Sequence, residues 1–141
     1  MKGTRVRDGQ TVKRRLRPAG AEAGLAGFLE RYEPTLVVVR GPAAGEEHVL
    51  DRDKLVLGRG PGVDLAFDDS EMSSQHAVVE FYGEGFRIND LGSTNGTFVN
   101  GKPVQARELA TGDRIELGRH LLQLRLEERP REPRVYLMPD E

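Results

Sequence analysis

The chain has 141 residues, with 21 lysines and arginines against 23 aspartates and glutamates, a net charge of −2. This length fits one domain with tails, and the near-zero charge excludes a general polyanion-binding protein. The absence of cysteine excludes a disulfide framework, a thiol nucleophile and a thiolate metal site. It also suits a reducing compartment, so we expect a cytoplasmic protein. No apolar run is long enough to span a membrane, and no signal peptide or membrane association is expected.

The first part of the chain is unlike the remainder in charge. Residues 1–17 contain seven basic residues and one acidic residue, a net charge of +6, which leaves −8 for all that follows. We expect residues 1–33 to form a basic, flexible arm with a short helix over residues 20–33. Pro34 is expected to end this helix. Its apolar face consists of four residues at helical spacing: Leu25, Phe28, Leu29 and Tyr32.

From residue 34 onwards, short apolar runs alternate with turn signals. The predicted strands are residues 36–39, 46–51, 54–57, 64–67, 76–82, 86–89, 97–99, 103–104, 114–117 and 120–126. About ten or eleven short strands without a helix among them are typical of an all-β sandwich of two sheets. The segment after residue 104 is expected to be a loop through Asp113. We predict a domain over residues 34–127 and a charged, proline-containing tail over residues 128–141.

Three polar loops lie between these strands. They are Gly58-Arg59 at a strand end, Ser73-Ser74-Gln75-His76 at a strand start, and Ser93-Thr94-Asn95-Gly96 in a tight turn. Hydroxyl and amide groups on a rigid turn can hold an anion without adding charge, and Arg59 adds a guanidinium. Taken singly, the turn residues are better explained as residues that satisfy their own backbone, and Arg59 as a solvated arginine.

The three loops together resemble the signature of the forkhead-associated (FHA) domain. That signature has a Gly-Arg, a Ser-x-x-His and a Leu-Gly-Ser-x-Asn-Gly-Thr stretch, which correspond here to residues 58–59, 73–76 and 91–97. The resemblance covers about residues 34–126. It implies an FHA-like β-sandwich that binds phosphothreonine peptides with the loops at one end.

The resemblance also implies a role for each candidate peptide-binding residue. Arg59 would contact the phosphate and Ser73 would donate its hydroxyl to it. Thr94 would lie against the phosphothreonine, and Asn95 would hold the peptide backbone. Ser74 belongs to the same set, but it stands where many members have Arg or Lys, which removes one phosphate-binding charge.

Three further residues are expected to support the site without touching a ligand, namely Gly58, His76 and Gly96. Ser73 and His76 do not form a catalytic triad by adjacency and no Gly-x-Ser-x-Gly elbow exists, so no enzyme is expected. The acidic residues at 64–71 lack the alternation of a calcium loop and are expected to form a solvated loop without a metal. The glycines at 58–62 precede no Gly-Lys-Ser/Thr, so no nucleotide cofactor is expected.

The sequence therefore predicts a non-catalytic phosphothreonine-binding module that acts as an adaptor or sensor in Ser/Thr kinase signalling. Its expected partner is a phosphothreonine protein, a Ser/Thr kinase or a substrate of one, and the domain is expected to be a monomer without a specific nucleic acid partner. The alternative is a phosphate-independent interaction domain on the same fold, which Ser74 favours. Thr11 and Thr4 in the arm are candidate regulatory phosphosites, because a phosphorylated arm could occupy the domain's own pocket.

Overall fold

The computed structural model describes residues 24–130. Within this range the chain has one helix and eleven strands. No helix among these residues is long and apolar enough to cross a bilayer. The elements are α1 (Gly24–Arg31), β1 (Tyr32–Arg40), β2 (Glu47–Val49), β3 (Lys54–Gly58), β4 (Leu65–Ala66), β5 (Ala77–Tyr82), β6 (Gly85–Asp90), β7 (Thr97–Val99), β8 (Lys102–Pro103), β9 (Ala106–Leu109), β10 (Arg114–Leu117) and β11 (His120–Glu128).

The strands form two sheets, which confirms the predicted sandwich. A five-stranded sheet has the order β9-β6-β5-β3-β4, and a six-stranded sheet has the order β2-β1-β11-β10-β7-β8. Every neighbouring pair is antiparallel except β3 and β4. The longest pairing joins β1 to β11, from Arg40 opposite Leu121 to Tyr32 opposite Glu128.

The core lies between the two sheets and is made of alternate strand residues. Val79 and Ile88 from one sheet, and Leu36, Ile115 and Leu122 from the other, are fully buried. Burial of one such side chain stabilises the fold by about 1.5–3 kcal/mol. Because many of them interlock, the sandwich is a rigid platform for the loops at its ends.

The predicted short helix is confirmed, but its predicted end is wrong. The helix ends at Arg31, and Tyr32 and Pro34 belong to β1, where they lie opposite Glu128 and Leu126. Pairing with β11 satisfies the backbone groups that one more helical turn would have satisfied. The strands therefore reach just beyond residues 34–127, the predicted limits of the domain, and these limits stay a prediction. Residues 20–23 of the predicted helix lie outside the described residues.

Helix α1 is held by an aromatic cluster. The ring of Phe28 lies 4.9 Å from that of Tyr32, 5.4 Å from that of Phe81 and 5.5 Å from that of Phe86. An eight-residue helix with an internal glycine is marginal alone, so this packing stabilises it. The helix consequently packs at the same end of the sandwich as the β5–β6 turn, which joins Tyr82 to Gly85.

The segment Ala106–Leu109, predicted as loop, is strand β9. Its residues pair with Phe86–Asn89 of β6, and Leu109 is buried. The sequence Ala-Arg-Glu-Leu has no β-branched or aromatic residue and so carries little strand signal of its own. The strand forms because the free edge of β6 supplies hydrogen-bonding partners.

Strand register brings the three polar loops to the end of the sandwich opposite α1. Ala77 lies opposite Leu57 and also opposite Asp90, so β3 ends and β5 begins beside the end of β6. The His76 N–H donates to the Leu57 carbonyl at 2.8 Å, and the Leu91 N–H donates to the His76 carbonyl at 2.9 Å. Loops that are about 20 residues apart in sequence are thereby adjacent in space.

Candidate functional site

An open cleft of about 330 Å³ lies where the three loops meet. The structure brings all five predicted peptide-binding residues to this one cleft. The lining consists of Arg59, Ser70, Glu71, Met72, Ser73, Ser74, Thr94 and Asn95. The cleft is polar and open, which suits an extended peptide better than an apolar small molecule.

Arg59 is held at the cleft by uncharged groups. Its backbone N–H donates to the Ser73 carbonyl and its Nε donates to the Met72 carbonyl, both at 3.0 Å. The arginines that form ion pairs within residues 24–130 are Arg52, Arg87, Arg119 and Arg125. Within that range, therefore, the terminal guanidinium nitrogens of Arg59 have no protein partner, and a fixed Nε leaves them ready for an anion.

Ser73 keeps a proton available at the cleft. Its Oγ accepts a hydrogen bond from the Thr94 N–H at 2.9 Å. A hydroxyl that accepts with one lone pair can still donate its own proton. Ser73 can therefore donate to an anion while it links two of the three loops.

His76 connects the same two loops from below and is fully buried. Its Nδ1 accepts from the Ser73 N–H at 3.0 Å, which assigns the proton to Nε2, and Nε2 donates to the Gly96 carbonyl at 2.8 Å. Both ring nitrogens are thus used by backbone groups. Neither is left to activate the Ser73 hydroxyl, so the pair lacks the nucleophile–base contact of an acyl-transfer enzyme.

Asn95 lies across the cleft rim. Its Nδ2 donates to the Glu71 carbonyl at 2.8 Å. A primary amide has a second N–H and a carbonyl oxygen, and these can pair with the backbone of an extended peptide. The predicted contact of Asn95 with the peptide backbone fits this geometry and stays a prediction.

Asp90, which the sequence reasoning missed, shapes the turn that carries Thr94 and Asn95. Its carboxylate accepts from the N–H groups of Gly92 and Ser93 and from the hydroxyls of Ser93 and Thr97. Burial raises the pKa of Asp90, but these hydrogen bonds outweigh burial and hold the pKa below its ordinary value. An Asp two residues before a glycine is a local turn signal that could have identified it.

Asp69 anchors the loop that carries Ser73, and the prediction that this residue is solvated is wrong. Its side chain is fully buried and accepts from the Arg119 N–H and from His120 Nδ1, both at 2.8 Å. It also accepts from the Glu71 N–H at 3.0 Å. Burial raises the pKa of Asp69, but the hydrogen bonds from His120, Arg119 and Glu71 lower it to about 2. The cleft loop is therefore tied to the β10–β11 turn.

We expect Asp69 to make stability depend on pH in acid. Its carboxyl has a pKa of about 2 when folded and 3.8 ordinarily. The ionised form therefore contributes about 2 kcal/mol above pH 3.8, and this is lost as the pH falls towards 2. Denaturant titrations at pH 7, 5 and 3 should show Asp69→Asn to be less stable at pH 7 and to lose less stability in acid. The exposed neighbour variant Asp68→Asn should follow the unmodified protein, and equal acid losses in all three proteins would contradict this role.

The fold and the cleft together define a β-sandwich domain with a cluster of polar loops around Arg59 at one end. A sequence model of the FHA domain matches residues 55–118. The chain is 41% identical over 106 residues to the glycogen accumulation regulator GarA of Mycolicibacterium smegmatis, with 74% of this chain and 67% of that protein covered. It is 38% identical over 105 residues to the oxoglutarate dehydrogenase inhibitor of Corynebacterium jeikeium, with 74% and 69% covered. The chain belongs to the FHA domain family, as its sequence motifs predicted.

Solved structures agree with this assignment. An FHA domain studied for phosphothreonine-dependent interactions superposes with a TM-score of 0.61 at 33% identity, covering 66% of this chain and 95% of that one. EmbR of Mycobacterium tuberculosis, in complex with a low-affinity phosphopeptide, superposes with a TM-score of 0.63 at 27% identity. That match covers 71% of this chain and 26% of EmbR.

Proposed function

We propose that this chain is a regulatory adaptor that binds phosphothreonine segments of partner proteins in the cleft and catalyses no reaction. The observation that carries the proposal is the state of Arg59, whose Nε is fixed by the Met72 carbonyl beside the Ser73 hydroxyl. Membership of the FHA family supports it, as do relatives named as a regulator and an inhibitor. We further propose that its partners belong to Ser/Thr kinase signalling.

The chemistry of the cleft matches a phosphorylated threonine. The phosphate carries about −1.5 to −2 charges and three strong acceptor oxygens. Arg59 offers planar, charged donors, and Ser73 offers a hydroxyl proton that needs no counter-charge. The second N–H and the carbonyl of the Asn95 amide can pair with the peptide backbone on either side of the phosphothreonine.

The experiment that tests the proposal compares phosphorylated and unphosphorylated ligands. A library of phosphothreonine peptides and their unphosphorylated twins is titrated against the full chain by fluorescence anisotropy. Binding confined to the phosphorylated members is the expected result. Equal binding by both sets would reject the proposal.

A second candidate function is phosphate-independent interaction through the same surface. The observation in its favour is Ser74, an uncharged residue in the cleft lining. With Arg59 the one cation among the lining residues that the structure describes, the phosphate meets a single positive charge. Under this alternative, Arg59→Ala would leave binding of a natural partner unchanged.

The basic arm offers a route to self-regulation. Thr11 and Thr4 lie outside the described residues, and Thr11 precedes Gly24 by 13 residues. A chain of that length spans up to about 45 Å. Strand β5 has six residues, so the sandwich is roughly 20 Å long in that direction. A phosphorylated Thr11 is therefore within reach of the cleft although α1 packs at the opposite end, and tethering would raise its effective concentration.

Phosphorylation of Thr11 is expected to block binding of outside phosphopeptides. A phosphorylated arm at an effective concentration on the order of millimolar would occupy even a weak site. The chain is phosphorylated at Thr11, by a Ser/Thr kinase or by semisynthesis, and titrated with a phosphopeptide of the library. Thr11→Ala, treated with the same kinase, should keep full binding, and Thr4→Ala is the matched control. A phosphorylated chain that binds outside peptides as before would exclude self-inhibition.

A further inference from the structure

We infer that the cleft selects phosphothreonine segments whose neighbouring residues are basic, with Glu71 as the residue that sets this preference. The inference rests on the proposed function and names the ligand class within it. It follows from the charges of the other cleft residues, because Arg59 would already be paired with the phosphate.

Glu71 is held at the cleft rim by its backbone. Its N–H donates to the buried Asp69 carboxylate at 3.0 Å, and its carbonyl accepts from Asn95 Nδ2 at 2.8 Å. The Glu71 side chain is exposed and forms no ion pair with any residue in the range 24–130. The fixed backbone thus holds at the rim a carboxylate that no cation of residues 24–130 neutralises, next to the residues that would flank the phosphothreonine.

The remaining lining does not offset this carboxylate. A phosphothreonine brings close to two negative charges, which the single charge of Arg59 does not neutralise. Ser74 adds no positive charge to the cleft. The groove of about 430 Å³ that continues past Thr94 and Asn95 is lined by Asp90 and by residues 93–97 and 103–105, none of which is basic.

The net charge of the described domain is negative, like the charge of Glu71. Residues 24–130 contain 12 lysines and arginines and 18 aspartates and glutamates, which gives a net charge of −6. A peptide with acidic flanks is repelled by this body as well as by Glu71, whereas basic flanks are attracted. The N-terminal arm of this chain has basic flanking residues of this kind, because Lys13, Arg14 and Arg15 follow Thr11 closely.

The test uses three phosphothreonine peptides of equal length whose flanking residues are Lys/Arg, Ala/Ser or Asp/Glu, each with an unphosphorylated twin. Titration of the full chain should rank them basic, neutral, acidic, with about a two- to fivefold step between neighbours at low salt. High salt should narrow the steps, because exposed charges are screened.

Two variants test whether residues of the cleft rim cause the preference for basic peptides. Glu71→Gln should reduce the ratio between basic and acidic peptides by about two- to fivefold, and Ser74→Lys should improve the acidic peptide most. The control is Glu84→Gln, an exposed acid in the β5–β6 turn at the far end of the sandwich.

The outcomes separate the inference from the proposed function. Equal binding of the three phosphopeptides, with no binding of the twins, would overturn the inference and leave the proposed function standing. A basic preference that Glu71→Gln and Glu84→Gln change equally would also overturn it. Failure of every phosphopeptide to bind better than its twin would reject the proposed function itself.

Discussion

Arg59→Ala is expected to weaken phosphothreonine-peptide binding by about 100-fold or more without unfolding the domain. Arg59 is the one cation among the cleft residues that the structure describes, so no neighbouring charge replaces it. Each hydrogen bond from a charged donor to the phosphate contributes about 1.5–3 kcal/mol, and two such bonds give the expected loss. The lost bond to the Met72 carbonyl is only partly buried, so water can replace it.

The measurement is a titration of one phosphopeptide against three variants, with thermal unfolding of each. Arg59→Lys keeps the charge but loses the planar pair of donors, and we expect a loss of about tenfold. Arg52→Ala is the matched control, because Arg52 forms an exposed ion pair with Asp64 that contributes little. Binding of Arg59→Ala within a few-fold of the unmodified protein would favour phosphate-independent interaction instead.

The sandwich was predictable where burial alternates along a strand. In β10 and β11 the alternating residues Ile115, Leu117, Leu122 and Leu124 are buried, and Leu126, which continues the alternation, is partly buried. Strand β9 was not predictable in this way, because its residues are held by the edge of β6 and not by their own propensity. The end of α1 was misjudged for a similar reason. Tyr32 continues the apolar face of the helix, but pairing with β11 determines its conformation.

The residues at the cleft surface were predictable because their chemistry is local. A guanidinium after a strand, and hydroxyl and amide groups in tight turns, can be read from a few neighbouring positions. Asp69 gives no such signal, since its partners Arg119 and His120 are 50 and 51 positions away. An acid in a polar segment is usually solvated, and only the fold shows that Asp69 is buried.

Gly58→Ala is expected to lower the melting temperature by about 5 °C or more and to abolish phosphopeptide binding. A Cβ at Gly58 would lie 2.1 Å from the Ser74 carbonyl oxygen and 2.8 Å from its carbonyl carbon. These are backbone atoms, which cannot rotate away as a side chain can. The loop that carries Ser73 must therefore move, and overpacking of this kind costs about 1–3 kcal/mol or more.

The same movement would break the contacts that position Arg59. The Arg59 N–H to Ser73 carbonyl bond of 3.0 Å and the Gly60 N–H to Ser74 carbonyl bond of 3.1 Å both join the two segments that the new methyl group would separate. Gly58→Ala should thus lose stability and binding together, whereas Arg59→Ala should lose binding alone. Comparison of the two variants therefore distinguishes a residue that holds the loops in place from a residue that binds the phosphate.

Thermal unfolding and peptide titration of Gly58→Ala are compared with those of Gly85→Ala. Gly85 follows the β5–β6 turn, and an added Cβ there meets no atom within 4 Å, so that variant should match the unmodified protein in both measurements. A contradicting result would be a Gly58→Ala protein that still binds and melts within about 2 °C of the control, a difference of well under 1 kcal/mol. It would show that the two loops can move apart without loss of stability. In that case the close approach of Gly58 to Ser74 would not be what holds Ser73 and Arg59 together at the cleft.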